Sequence, residues 1–113
     1  MAGLEELRAF GANVDEGVKR CVNNEEFYLK MVRKAMEDQS VDDLEKALDE
    51  KDLDQAFEVA HALKGVLANL ALTPLSDPVS EMVELLRNRT DTDYSSYLEK
   101  IKTKKEELKN ILQ

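Results

Sequence analysis

Apolar residues return at intervals of three and four along nearly all of this 113-residue chain, and that period belongs to helices with one face to bury. Phe27, Met31 and Ala35 run beside Tyr28, Val32 and Met36. Val41, Leu44 and Leu48 follow, then a long segment from Leu53 to Leu72, then Val79, Met82, Val83 and Leu86. A last helix is expected through Tyr94, Leu98, Ile101, Leu108 and Ile111. Ahead of these, Leu4, Leu7 and Phe10, then Val14, Val18 and Cys21, predict two short helices broken at Gly11. Four glycines and two prolines leave little punctuation for strands and turns. The expected fold is therefore all-α: an up-and-down antiparallel four-helix bundle with the short N-terminal helices packed at one end. The 42% hydrophobic content supplies one modest core, and no repeat or linker divides the chain, so residues 1–113 are expected to form a single domain.

Start signals mark the helices. Asn13 with Glu16, Asn23 with Glu26 and Asp52 with Gln55 have capping-box spacing, in which the first side chain accepts from the free N–H groups of the opening turn. Ser40 is expected to open a helix with Asp42 and Asp43 in its first turn, where the helix dipole favours negative charge. The clearest break is Thr73-Pro74-Leu75-Ser76-Asp77-Pro78. Either Thr73 caps with Pro74 in the first position, or Asp77 caps with Pro78 there, and the pattern does not choose.

Charge and composition exclude several classes. A net charge of -8 repels nucleic acids and anionic lipid surfaces. Lysines gather at Lys100, Lys102, Lys104, Lys105 and Lys109, but Glu99, Glu106 and Glu107 are interleaved with them, as on a solvated helix face. Cys21 is the sole cysteine, so no internal disulfide can form and it reads as a packing residue. No apolar run is long enough to cross a bilayer, and the N-terminus lacks the pattern of a secretory signal. A cytoplasmic location and a monomer are expected.

The only histidine sits in the longest apolar segment. On a heptad wheel Leu53, Ala60 and Leu67 share one seam position and Ala56, Leu63 and Leu70 the other. His61 falls one residue past that stripe, on a face with Asp54, Glu58, Gly65, Ala68 and Leu72, so its imidazole is expected to face solvent. Gly65 lies one turn further on, where glycine costs roughly 1 kcal/mol relative to alanine. With Ala68 after it, the face has little side-chain cover, over which another protein could close. Lys64, three residues from His61, can reach a group attached to the ring. An exposed neutral imidazole is a nitrogen nucleophile that needs no activating base. Phosphoryl transfer depends on in-line positioning and on cations that balance the equatorial oxygens, and this helix supplies only a nucleophile and one lysine.

A dimetal carboxylate bundle is the rival suggested by Glu58-Val59-Ala60-His61, a Glu-x-x-His sequence, but such a site needs a second histidine from another helix. No metal or other cofactor is expected in the chain itself.

The segment Ala60-His61-Ala62-Leu63-Lys64-Gly65-Val66-Leu67-Ala68-Asn69-Leu70 resembles the phosphorylation motif of histidine-containing phosphotransfer (HPt) domains, whose core is a histidine followed by x-x-Lys-Gly. Phe27-Tyr28-Leu29 with Met31 and Val32 is similar to that family's preceding core helix, and Thr73-Pro74-Leu75 with the helix to Leu86 to its following one. The resemblance implies that His61 accepts the phosphoryl group through Nε2, that Lys64 stabilises it, and that Gly65 lets a partner approach, with Ala68 and Leu72 as further docking residues. It implies receiver domains and a hybrid histidine kinase as partners, with Mg²⁺ bound in the receiver. The chain would be a phosphocarrier with no ATP site of its own. Two departures stand out: Ala71, where family members commonly have glycine, and Val66 with Leu67, where small or hydroxyl residues are usual. The other reading of such a chain is a helical interaction module that is never phosphorylated.

Overall fold

A computed structural model describes residues 3–112, and among them it contains helices and no strand. The helices are α1 (Leu4–Phe10), α2 (Val14–Arg20), α3 (Glu25–Glu37), α4 (Ser40–Asp49), α5 (Leu53–Asn69), α6 (Thr73–Arg87) and α7 (Ser95–Leu112). From α4 to α7 each helix packs on the next, and α4 also meets α7, which closes the ring of four. Connectors of three residues follow α4 and α5, too short for anything but antiparallel neighbours. Helix α3 leans on α7 and α2, while α1 packs against α7 and α2. The all-α bundle expected from the period is the fold observed.

One apolar cluster runs through the structure from Leu7 to Leu108. Helix α5 gives it Ala56, Ala60, Leu63 and Leu67. Two alanines on that buried face let neighbouring helices come close, and α6 fills the space with Leu75, Val79, Met82, Val83 and Leu86. Burial of each such leucine is worth about 1.5–3 kcal/mol, so the orientation of α5 is fixed by the stripe. Leu53, at the start of the seam, is only half-buried. Cys21 is a buried free thiol, as a packing role requires.

Two helix starts match their capping signals: Asn13 accepts from the Glu16 N–H at 3.3 Å and Asp52 from the Gln55 N–H at 3.1 Å. Two differ. Helix α3 is capped by Asn24, which accepts from the Phe27 N–H at 3.0 Å, because Asn23 is left-handed (φ 60°) in the preceding turn. At the start of α4, Ser40 is held by Asp38, whose carboxylate accepts from the Ser40 N–H at 2.7 Å and from its hydroxyl. Those hydrogen bonds, the hydroxyl's first, draw the Asp38 carboxyl below its ordinary range. Helix α6 begins at Thr73 after Leu72, so neither Thr73 nor Asp77 caps it; Pro74 sits in the first turn and Pro78 lies inside the helix, buried.

The C-terminal ends share one device. After α1, α4, α5 and α6 a residue turns left-handed, and paired N–H groups satisfy the last carbonyls: Ala12 to Leu7, Asp52 to Ala47, Leu72 to Leu67 and Thr90 to Leu85, at 2.9–3.1 Å. At these four ends the left-handed residues are Gly11, Lys51, Ala71 and Arg89, and only the first is glycine; α2 ends the same way through Val22 and Asn23, with the Asn23 N–H on the Val18 carbonyl at 3.0 Å. Among the described residues no helix is long and apolar enough to cross a membrane.

Candidate functional site

His61 lies in the middle of α5, and its side chain is exposed, one residue past the buried seam. Its ring stacks on Phe57, one turn earlier, with centroids 5.6 Å apart and planes at 26°. That spacing is the i,i+4 relation of a helix, which brings two side chains onto one face. The stack restrains the imidazole without covering it.

Phe57 also collects charge. The guanidinium carbons of Arg87 and Arg89, at and just past the end of α6, lie 5.3 and 5.6 Å from its ring centre. Cations are drawn to an aromatic face by its quadrupole. Arg89 is further held by an ion pair with Asp54 and by donation from Nη1 to the Leu86 carbonyl at 2.9 Å. Both arginines are thus drawn to the flank of the histidine through one aromatic ring.

On the other side of His61 the surface is open. A Cβ built on Gly65 meets nothing within 4 Å, so close helix packing does not explain this glycine. Ala68 is exposed as well, and its carbonyl accepts from Arg20 Nη1 at 2.7 Å. Lys64 is half-buried and enters none of the ion pairs among the described residues.

Leu72 departs from its expected place. It is wholly buried, not on the face of His61 and Gly65. The wheel holds only while the chain stays helical, and α5 ends at Asn69; the left-handed turn at Ala71 then sends Leu72 inward. It is unavailable for docking. His61, Lys64, Gly65 and Ala68 do share one stretch of α5. Phe57 was open to discovery from its spacing to His61, whereas Arg87 and Arg89 come from another helix and carry no local signal.

The family model for the Hpt domain matches residues 28–113, and the chain belongs to that family. Hpt domains serve histidine phosphotransfer in phosphorelays, as carriers that interact with receiver domains. Neither the curated proteins nor the solved structures offer a match.

Proposed function

We propose that His61 is the phospho-acceptor of a relay intermediate, taking a phosphoryl group from the phosphoaspartate of one receiver domain and passing it to another. The observation that carries this reading is an exposed imidazole, restrained by Phe57, beside a strip of helix with no side-chain cover. The neutral ring attacks phosphorus with the lone pair of Nε2. The N–P bond forms as the P–O bond to the aspartyl carboxylate breaks, and the carboxylate leaves as an anion that needs no proton. The same atoms run in reverse toward the second receiver.

The helix lacks a phosphate-binding loop or an activating base, so the catalytic apparatus belongs to the partner, including the Mg²⁺ held there. This chain contributes orientation and partial charge balance. Lys64 reaches the phosphoryl oxygens from its place three residues on, and Arg87 and Arg89 add positive potential beside Phe57. Gly65 and Ala68 leave room for the receiver to close, in line with the attacking nitrogen. Residues 1–113 act in this reading as one cytoplasmic, monomeric domain supplied by a hybrid histidine kinase.

Incubation with a phosphorylated receiver should place an acid-labile, base-stable label on the wild type and none on His61→Gln. Label that survives the substitution would assign the acceptor elsewhere.

A further inference from the structure

Arg89 makes more contacts than the turn it forms requires. It follows α6 in left-handed geometry, φ 53°, and its Nη1 donates to the Leu86 carbonyl at 2.9 Å and to the Arg87 carbonyl at 3.3 Å. Those bonds serve the end of α6. Its Nε reaches across to α5 instead, where the Asp54 carboxylate accepts from it. Among the described residues Nη2 makes no hydrogen bond, although a guanidinium presents five donors. The guanidinium carbon lies 5.6 Å from the centre of the Phe57 ring, and that ring stacks on His61.

Asp54, Phe57 and His61 follow one another at spacings of three and four, which puts them on one face of α5. Arg89 is therefore tied to a carboxylate about two turns before the imidazole, at the aromatic ring that the imidazole also touches. The place of Asp54 in the first turn of α5 explains an acid there, because the helix dipole favours it. It does not explain a partner drawn from beyond another helix. Arg87, by contrast, pairs with Glu84 on its own helix at 3.7 Å. The Arg89 to Asp54 pair is open to solvent, with side-chain exposures of 50% and 80%, and exposed pairs are weak enough to exchange readily.

We propose that Asp54 holds Arg89 in reserve and thereby sets how firmly His61 keeps a phosphoryl group: when the ring is charged, the guanidinium leaves the carboxylate for the phosphoryl oxygens. The inference rests on the phosphotransfer reading above and adds to it a positioning residue, Asp54. A phosphoryl group brings roughly two negative charges against one on the carboxylate, and its oxygens accept the paired N–H groups of an arginine. The exchange changes no covalent bond and moves no proton, since Asp54 stays a carboxylate and Arg89 a guanidinium throughout. Each phosphorylation must break an ion pair, so phosphohistidine is held less tightly than a free arginine would hold it. The group stays easy to pass on.

The test uses the full chain and, from a panel charged with acetyl phosphate, the receiver domain that labels the wild type fastest. The partition of phosphoryl between chain and receiver is measured from both directions. Asp54→Asn should shift it about threefold toward phosphohistidine, and Arg89→Gln about threefold or more toward the receiver. A gain of this kind in Asp54→Asn cannot come from misfolding. In the Arg89→Gln background Asp54→Asn should add nothing, because the carboxylate acts only through the arginine. Asp54→Glu should keep the wild-type partition. In ¹⁵N spectra the Arg89 Nε resonance should move when the wild type is labelled and stay in place for His61→Gln. A wild-type partition in Asp54→Asn, or the same shift with and without Arg89, overturns the exchange and leaves the phosphotransfer reading standing. Failure of every receiver to label the wild type overturns both.

Discussion

Two glycines stand in the interior of helices, Gly17 in α2 and Gly65 in α5, and their surroundings are opposite. A Cβ on Gly17 would lie 2.4 Å from the Tyr28 ring and 2.9 Å from the Leu70 carbonyl oxygen, whereas one on Gly65 would touch nothing. The first is glycine because two backbones and a ring must meet there. The second is glycine although no neighbour within 4 Å demands it, which the proposed docking role would explain. Both carry the same propensity penalty; only the first is offset by contacts within the chain.

That contrast can be broken by substitution. The largest effect belongs to Gly17→Ala. Tyr28 is fixed by donation of its hydroxyl to the Leu70 carbonyl at 2.9 Å and cannot swing aside cheaply, so we expect a loss of about 2 kcal/mol in urea unfolding. A variant as stable as the wild type would remove the distinction between the two glycines.

Next comes Tyr28→Phe, which leaves the Leu70 carbonyl without that donor and should cost about 1 kcal/mol. Burial pushes the Tyr28 phenol up to about 12 from its ordinary 10.0, with Cys21 nearby adding to the rise. Because the folded value is the higher, the tyrosine's contribution is complete below pH 10 and fades as pH rises toward 12. Unfolding curves across that range should show a larger alkaline loss in the wild type than in Tyr28→Phe, which keeps the part due to Tyr94, whose phenol burial also raises.

Gly65→Ala should do the reverse of Gly17→Ala and stabilise the helix by about 0.5–1 kcal/mol. Gly65→Leu should keep near-normal helix content by circular dichroism while slowing phosphoryl transfer from a receiver. Transfer at the wild-type rate in Gly65→Leu would show that the bare strip is not a docking surface. The smallest change is Ala71→Gly, expected to gain about 0.5 kcal/mol by relieving a left-handed alanine, as thermal melts would report.

The core helices were legible because burial imposes a period: the seam of α5 and the outward placement of His61 both follow from it. Helix ends were harder to read. Chain reversal here uses Lys51, Ala71 and Arg89 in left-handed geometry, residues that do not announce a stop as glycine does at position 11. The misplacement of Leu72 comes from that source, since nothing at Ala71 marks the end of the wheel. The family's customary glycine at that position now has a physical reason in the backbone of this chain. The Phe57 cluster was half visible, its aromatic partner by spacing and its arginines only by tertiary packing.

The carboxyl end of α5 has no basic residue of its own, and its last carbonyls are served from a distance: Ala68 by Arg20, Leu70 by Tyr28 and Ala71 by the Asn13 N–H at 2.9 Å. Asn13 and Arg20 precede the span matched to the family. Trimming the protein to that span would sever two of these three moorings and lift Leu7, Phe10 and Val14 off the core they cover. The last turn of the histidine helix would then fray toward Gly65, so the leading residues work as ballast for the surface on which the proposed receiver would land.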